Sequence, residues 1–222
     1  MSRGLKIVGC IAVLSLLLLA VPSAWAHPEL ARQAKAPCSG CHAAAWGGTA
    51  LSDAGKAYKA SGKAPAAGAQ DPAYVGSAKC KMCHMAQFKA WAATKHASAL
   101  VNLEKADPKV VADMAAKLKV TIKGTAAKTD GCVGCHVTGY QLAGGYPAAD
   151  AAKTAAVAGV TCEACHGPGG KHVAAAKADK KATIAATVGG GTCKGCHTAT
   201  MSPSFDFAKL KGKVHPVPAA GS

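Results

Sequence analysis

Apolar positions along this 222-residue chain fall into a few separate patterns. Ile7 to Val21 is a nearly continuous apolar run, preceded by Arg3 and Lys6 and followed by Ala24-Trp25-Ala26. A basic start, an apolar stretch too short to span a bilayer comfortably and a small-x-small site predict a signal peptide over residues 1–26, with the mature chain beginning at His27. An uncleaved anchor is the alternative. Ile7-Val8-Gly9-Cys10 has the look of a lipoprotein box, but the apolar run follows it, so Cys10 reads as part of the discarded leader. Leu51 to Lys59 predicts a short helix, and Ser61 to Pro72, rich in Gly, Ala and Pro, predicts a linker. Met85 to Glu104 carries Phe88, Trp91, Leu100 and Leu103 at mixed helical spacing. Asp107-Pro108 opens a further helix through Val110, Met114 and Leu118, and an Ala-rich helix is expected over His172 to Thr187. Only Val120 to Ile122 offers a short strand-like piece, so the fold is expected to be mainly α with little or no β.

These helices have too little to pack on. Aromatic residues make up 5% of the chain, while Ala and its 25 Gly are abundant. Another source of apolar surface is needed, and the cysteines supply one. Ten of the 11 Cys form five Cys-x-x-Cys-His motifs: Cys38, Cys41 and His42; Cys80, Cys83 and His84; Cys132, Cys135 and His136; Cys162, Cys165 and His166; Cys193, Cys196 and His197. Two thiols capture the vinyl groups of a c-type haem, and the following histidine reaches the iron from the same side. Zinc does not require a histidine after every second cysteine, and a disulfide framework leaves all five histidines without a reason. Five covalently attached haem c groups, each with its iron, are therefore implied. The first cysteines are 42, 52, 30 and 31 residues apart with unlike segments between them, so haem packing, rather than a sequence repeat, sets the layout. Short helices and loops wrapped around stacked haems become the expected architecture. Small residues let backbone and porphyrin approach closely, and the macrocycles replace the aromatic area that is missing.

Export agrees with this chemistry, because covalent haem attachment takes place outside the bacterial cytoplasm. A periplasmic, extracellular or cell-surface location follows, with no stable membrane span after cleavage. The formal net charge of +15 falls to +13 without Arg3 and Lys6, and about ten haem propionates offset most of the remainder. Nucleic acid is excluded as a partner: there is no helix-turn-helix signal and no platform of interleaved aromatic and basic residues. Lysines near haem edges pair with propionates, steer an acidic redox partner, or are simply solvated. The organisation expected is a signal peptide (1–26), a one-haem unit with linker (27–70), a four-haem domain (71–217) and a short tail (218–222).

Five irons need five more axial ligands, yet only His27, His96, His172 and His215 remain. At least one iron stays open, takes another residue type, or borrows a ligand from a second chain. All four histidines are candidate iron ligands, since imidazole suits iron. His27 lies within reach of the His42 haem. It also suits a neighbouring subunit in a homo-oligomer or filament, and Met82, Met85, Met114 and Met201 are further candidates for that position.

The stretch Tyr74-Val75-Gly76-Ser77-Ala78-Lys79-Cys80-Lys81-Met82-Cys83-His84, followed by Trp91, Thr94-Lys95-His96 and then Gly159-Val160-Thr161-Cys162-Glu163-Ala164-Cys165-His166-Gly167-Pro168-Gly169-Gly170-Lys171-His172, resembles a known tetrahaem cytochrome family. That family's best-known member accepts electrons from hydroxylamine oxidoreductase in nitrifying bacteria. The resemblance covers about residues 72–217 and leaves the first haem unit outside. It implies a crossed ligand pattern, with His172 completing the His84 haem, His96 the His166 haem and His215 the His197 haem. The His136 haem would be five-coordinate. Electron carriage between donor and acceptor proteins, such as other cytochromes in an anaerobic or respiratory chain, is the leading function, because an iron with both axial positions filled exchanges electrons but binds no substrate. The alternatives are small nitrogen-oxide chemistry at an open His136 haem and service as a subunit of a conductive extracellular filament. No catalytic residue set is evident, and the lysine-bearing attachment motif of pentahaem nitrite reductases has no counterpart here.

Overall fold

The computed structural model describes residues 41–42, 50–63, 74–142 and 144–216. Within them the protein is mainly α-helical and forms no strand, only an isolated antiparallel bridge between His42 and Leu51. The leader, His27, Cys38 and most of the linker lie outside the described residues, as do residues 217–222.

Eleven short α-helices follow one another among these residues: α1 Asp53–Ser61, α2 Ser77–Lys81, α3 Met85–Ala92, α4 Ala99–Glu104, α5 Pro108–Leu118, α6 Asp130–Val133, α7 Ala151–Ala156, α8 Cys162–His166, α9 Gly170–Ala174, α10 Gly190–Lys194 and α11 Phe207–Leu210. Capping chemistry sets several of their ends. Ser52 Oγ accepts from Gly55 N at the start of α1, and Gly62, at φ 67°, closes its end by donating to Tyr58 O. The Asp107 carboxylate accepts from Lys109 N and Val110 N, with Pro108 at the first helical position, so α5 begins where the sequence predicts.

Two expected helices are broken. The stretch Met85–Glu104 divides into α3 and α4, because Thr94 Oγ1 donates to Trp91 O at 2.7 Å and competes with the helical ladder. The turn so created holds His96. The Ala-rich stretch from His172 is helical only to Ala174. The Lys180 ammonium donates to the carbonyls of His172 and Val173, and the chain returns into a single 3-10 turn, Lys180–Thr183. Val120–Ile122 is not a strand: Lys119 ends α5 in the left-handed region (φ 54°), and Val120 packs against Gly131.

Few apolar side chains bury one another. Leu100, Val133 and Val137 form the core cluster, with Leu103, Ala127, Tyr140, Tyr146 and Ala158 against it. Hydrogen bonds do much of the cross-linking instead. Fully buried Thr138 donates its hydroxyl to Gly159 O at 2.8 Å and accepts from Thr161 N at 2.9 Å. Its single proton is then used, so the Thr161 hydroxyl, 2.9 Å away, must donate to it. The strap 159–161 continues onward: Val160 N donates to His96 O at 3.0 Å, and the Trp91 indole donates to Val160 O at 2.9 Å. The approach to the fourth motif is thereby tied to the loop after the third and to the turn that carries His96.

Candidate functional site

Each described motif is one tight helical turn. His84 N donates to Cys80 O, His136 N to Val133 O and His197 N to Cys193 O, all at 2.8–2.9 Å. A turn of this kind brings two cysteines three residues apart to the same side and sets the histidine just beyond them. Nine cysteines among the described residues form no disulfide. No group of three or more His, Cys, Asp or Glu side chains there converges on a single point, which is the arrangement a metal ion bound directly by protein would need.

The histidines pair off instead. The ring centroids of His84 and His172 lie 6.2 Å apart with their planes 23° from parallel. His166 and His215 stand 5.8 Å apart at 29°, and His96 and His197 stand 5.9 Å apart at 77°. A metal held between two imidazole nitrogens at about 2 Å each, with about 1 Å more from nitrogen to ring centre, separates the centroids by about 6 Å. All three pairs match that spacing. Direct stacking would bring flat rings closer, as the 4.6 Å between His197 and Phe205 illustrates.

This pairing corrects the crossed pattern implied by the sequence resemblance. His172 faces His84 as expected, but His96 faces His197 and not His166, and His215 faces His166 and not His197. The reason lies in the strap: Val160 N holds the His96 carbonyl in the turn between α3 and α4, and the ring is delivered to His197. Among the described residues no imidazole stands opposite His136 or His42. Met82 and Met85, the nearest methionines to an attachment motif, are exposed.

Hydrogen bonds settle which nitrogen each ring offers. Nδ1 of His136 meets Ala99 O at 2.9 Å, that of His166 meets Ala185 O at 2.6 Å, and that of His172 meets Lys180 O at 2.9 Å. Nδ1 of His215 lies 2.9 Å from Pro216 O. Carbonyl oxygens only accept, so each of these Nδ1 atoms carries the proton, and Nε2 keeps the lone pair that a metal takes. His197 Nδ1 pairs with Ser202 Oγ at 3.0 Å. Burial lowers the pKa of His96, His166 and His197, aided at His96 by the neighbouring His197, which favours the neutral form of these rings. The donor set therefore fits haem c iron, with thiols for attachment and neutral imidazoles for the axial positions. His42 differs: it is 7% exposed and its Nδ1 has no hydrogen-bond partner among the described residues. The backbone of Cys41 is met closely by Gly55 of α1, where a Cβ would run into the Cys41 carbonyl.

The sites also touch one another. The Cys80 thiol hydrogen-bonds Cys162, raising its own pKa and lowering that of Cys162, whose sulfur lies 3.4 Å from Ser77 Oγ. Burial pushes Cys165 up to about 11, with a smaller contribution from Cys193 close by. Several residues that hold this arrangement are missed by sequence reasoning. Thr138, Ser202, Phe205 and Glu163 carry no motif signal of their own, although the charged Glu163 lying between two cysteines is the one that could have drawn attention.

Residues 79–167 match the family model described as "Cytochrome c554 and c-prime". Cytochrome c-554 of Nitrosomonas europaea is 38% identical over 101 residues, which cover 46% of this chain and 41% of that protein, so the match spans about two fifths of the relative's length. The structure of reduced cytochrome c554 from Nitrosomonas europaea aligns with 66% of this chain and 85% of its own, at 26% identity and a TM-score of 0.47. Residues 79–167, which contain the second, third and fourth attachment motifs, are thus a tetrahaem-cytochrome-like segment similar to the cytochrome c554 family.

Proposed function

We propose that this protein is an exported pentahaem c-type cytochrome that carries electrons between redox partner proteins. When bound, haem c supplies a one-electron iron couple. The observation that carries the reading is the set of three imidazole pairs at 5.8–6.2 Å beside cysteine pairs that form no disulfide among the described residues. In this reading Cys80 and Cys83, Cys132 and Cys135, Cys162 and Cys165, Cys193 and Cys196, and Cys38 and Cys41 hold the five porphyrins. His84 with His172, His166 with His215, and His197 with His96 fill both axial positions of three irons, while His136 and His42 each fill one position of the other two.

The chain's own residues make electron exchange cheap and continuous. Nδ1 bonds to fixed carbonyls hold the ligand rings in place, so little rearranges when charge arrives or leaves. The closeness of Cys80 to Cys162 supports contact between the His84 and His166 sites, and that of Cys165 to Cys193 supports contact between the His166 and His197 sites. His136 Nδ1 donates to Ala99 O, and Ala99 N in turn donates to His96 O, which continues the route to the His136 site. Periplasm or cell surface is the location that covalent haem attachment favours, and among the described residues no helix is long and apolar enough to cross a membrane. The experiment is intact-mass spectrometry of the exported product together with haem quantification. Five added porphyrins are expected; substantially fewer would overturn the reading.

A second reading rests on His136, which has no opposite imidazole among the described residues. An open position there would admit a small nitrogen oxide. A high-spin ferric signal that shifts on addition of nitric oxide is its expected mark, and a fully low-spin ferric protein would remove it.

A further inference from the structure

Glu163 is the acidic side chain inside an attachment motif, and it is buried, with 2% of its surface exposed. Its Oε1 accepts from Val75 N at 2.9 Å and from Gly169 N at 2.7 Å, and its Oε2 accepts from Gly76 N at 2.8 Å. No ion pair forms with it among the described residues. All three facing groups are N–H donors, so the arrangement suits an ionised carboxylate; a protonated acid would aim its own proton at a donor. Burial raises its pKa overall, and the three N–H bonds oppose that rise.

The three donors belong to pieces of one site that are far apart in sequence. Val75 and Gly76 lead into α2, which ends beside Cys80, Cys83 and His84. Gly169 immediately precedes α9, which carries His172, the ring 6.2 Å from His84. Glu163 itself sits between Cys162 and Cys165. Gly169 has little room for a side chain: a Cβ there would come within 3.2 Å of Glu163 Oε1 and 3.1 Å of Val75. The carboxylate is close enough to Cys80 and Cys162 for its field to act at both sulfurs.

We propose that Glu163 is a positioning residue for electron transfer: it clamps His172 opposite His84, and its buried negative charge lowers the reduction potentials of the two haems attached through Cys80 and Cys162. The clamp acts through Gly169, which fixes where α9 begins and hence where the His172 ring arrives. The charge acts because ferric iron carries one more positive charge than ferrous, so a nearby anion with no cationic partner favours the oxidised state. The inference rests on reading His84 and His172 as the axial pair of one haem.

Three variants of the full-length holoprotein separate these roles. Glu163→Gln is isosteric and keeps Oε1 for Val75 and Gly169, losing the charge and the Gly76 bond. It should remain as low-spin as the parent, with two haems shifted to higher midpoint potential in a spectroelectrochemical titration and the others unchanged. Glu163→Ala removes clamp and charge together. It should show a new high-spin ferric signal equal to one haem, which added imidazole converts back to low-spin. A residue that merely supported the fold would lower stability without selecting one haem. His172→Ala tests the underlying reading: it should produce the same single high-spin haem, and if it leaves the spectrum unaltered, the axial assignment fails independently of Glu163. The proposal is overturned if Glu163→Ala keeps the parent's spin state, or if Glu163→Gln leaves every potential where it was. Should Glu163→Ala not accumulate, the potentials of Glu163→Gln decide the matter.

Discussion

Replacing Thr138 by Val tests how far buried hydrogen bonds, in place of apolar packing, hold this protein together. The two side chains have nearly the same shape, and Thr138 is fully buried, so the substitution removes a hydroxyl and little else. Gly159 O and Thr161 N, both in buried residues, lose the bonds they make at 2.8 and 2.9 Å. Each buried group left without a partner costs about 1–3 kcal/mol. The extra methyl returns about 1 kcal/mol of burial, so the desolvation loss wins and a net destabilisation of about 1–5 kcal/mol, centred near 3, is expected. Thr138→Ser keeps the hydroxyl and gives up one methyl, for about 1 kcal/mol. Urea unfolding of the oxidised holoprotein, followed by far-ultraviolet circular dichroism, measures both variants. The strap 159–161 also holds the His96 carbonyl, so Thr138→Val should loosen His96 and add high-spin character below the unfolding midpoint, whereas Thr138→Ser should not. The reasoning is refuted if the two variants unfold within about 0.5 kcal/mol of each other.

Axial-plane geometry allows the ring pairing to be tested directly. Near-parallel planes at the His84–His172 and His166–His215 pairs should give ordinary rhombic low-spin ferric signals in electron paramagnetic resonance, and the near-perpendicular His96–His197 pair a highly anisotropic one. His96→Met should then abolish the anisotropic signal and His215→Met a rhombic one; the reverse outcome would restore the pairing implied by the sequence resemblance. Gly55→Ala should disturb the first motif selectively, because the new Cβ would collide with the Cys41 carbonyl. Intact mass and the haem spectrum should report a lost or altered His42 haem with the other four unchanged, and a full complement with parental spectra would count against that contact.

Much of the chemistry was legible before any coordinates, because it is written in contiguous residues. Cys-x-x-Cys-His needs only one helical turn to bring its donors to one side, so spacing alone points to the attachment positions proposed above. The start of α5 was equally local: Asp107 and Pro108 cap a helix whatever surrounds them. Histidine arithmetic implied that, of five irons, at least one could not find a second imidazole within this chain, and two could not unless His27 served one of them. Which ring faces which was beyond the sequence, since it depends on contacts between residues far apart, such as Val160 with His96 and Ala185 with His166. The break between α3 and α4 and the early end of α9 arose likewise, where Thr94 and Lys180 bonded to nearby carbonyls and outcompeted weak helical propensity. Glu163 completes the contrast. Sequence put a carboxylate between two cysteines, and only the fold brought Val75, Gly76 and Gly169 around it, because a buried anion requires donors that no neighbouring stretch of its own backbone could fully supply.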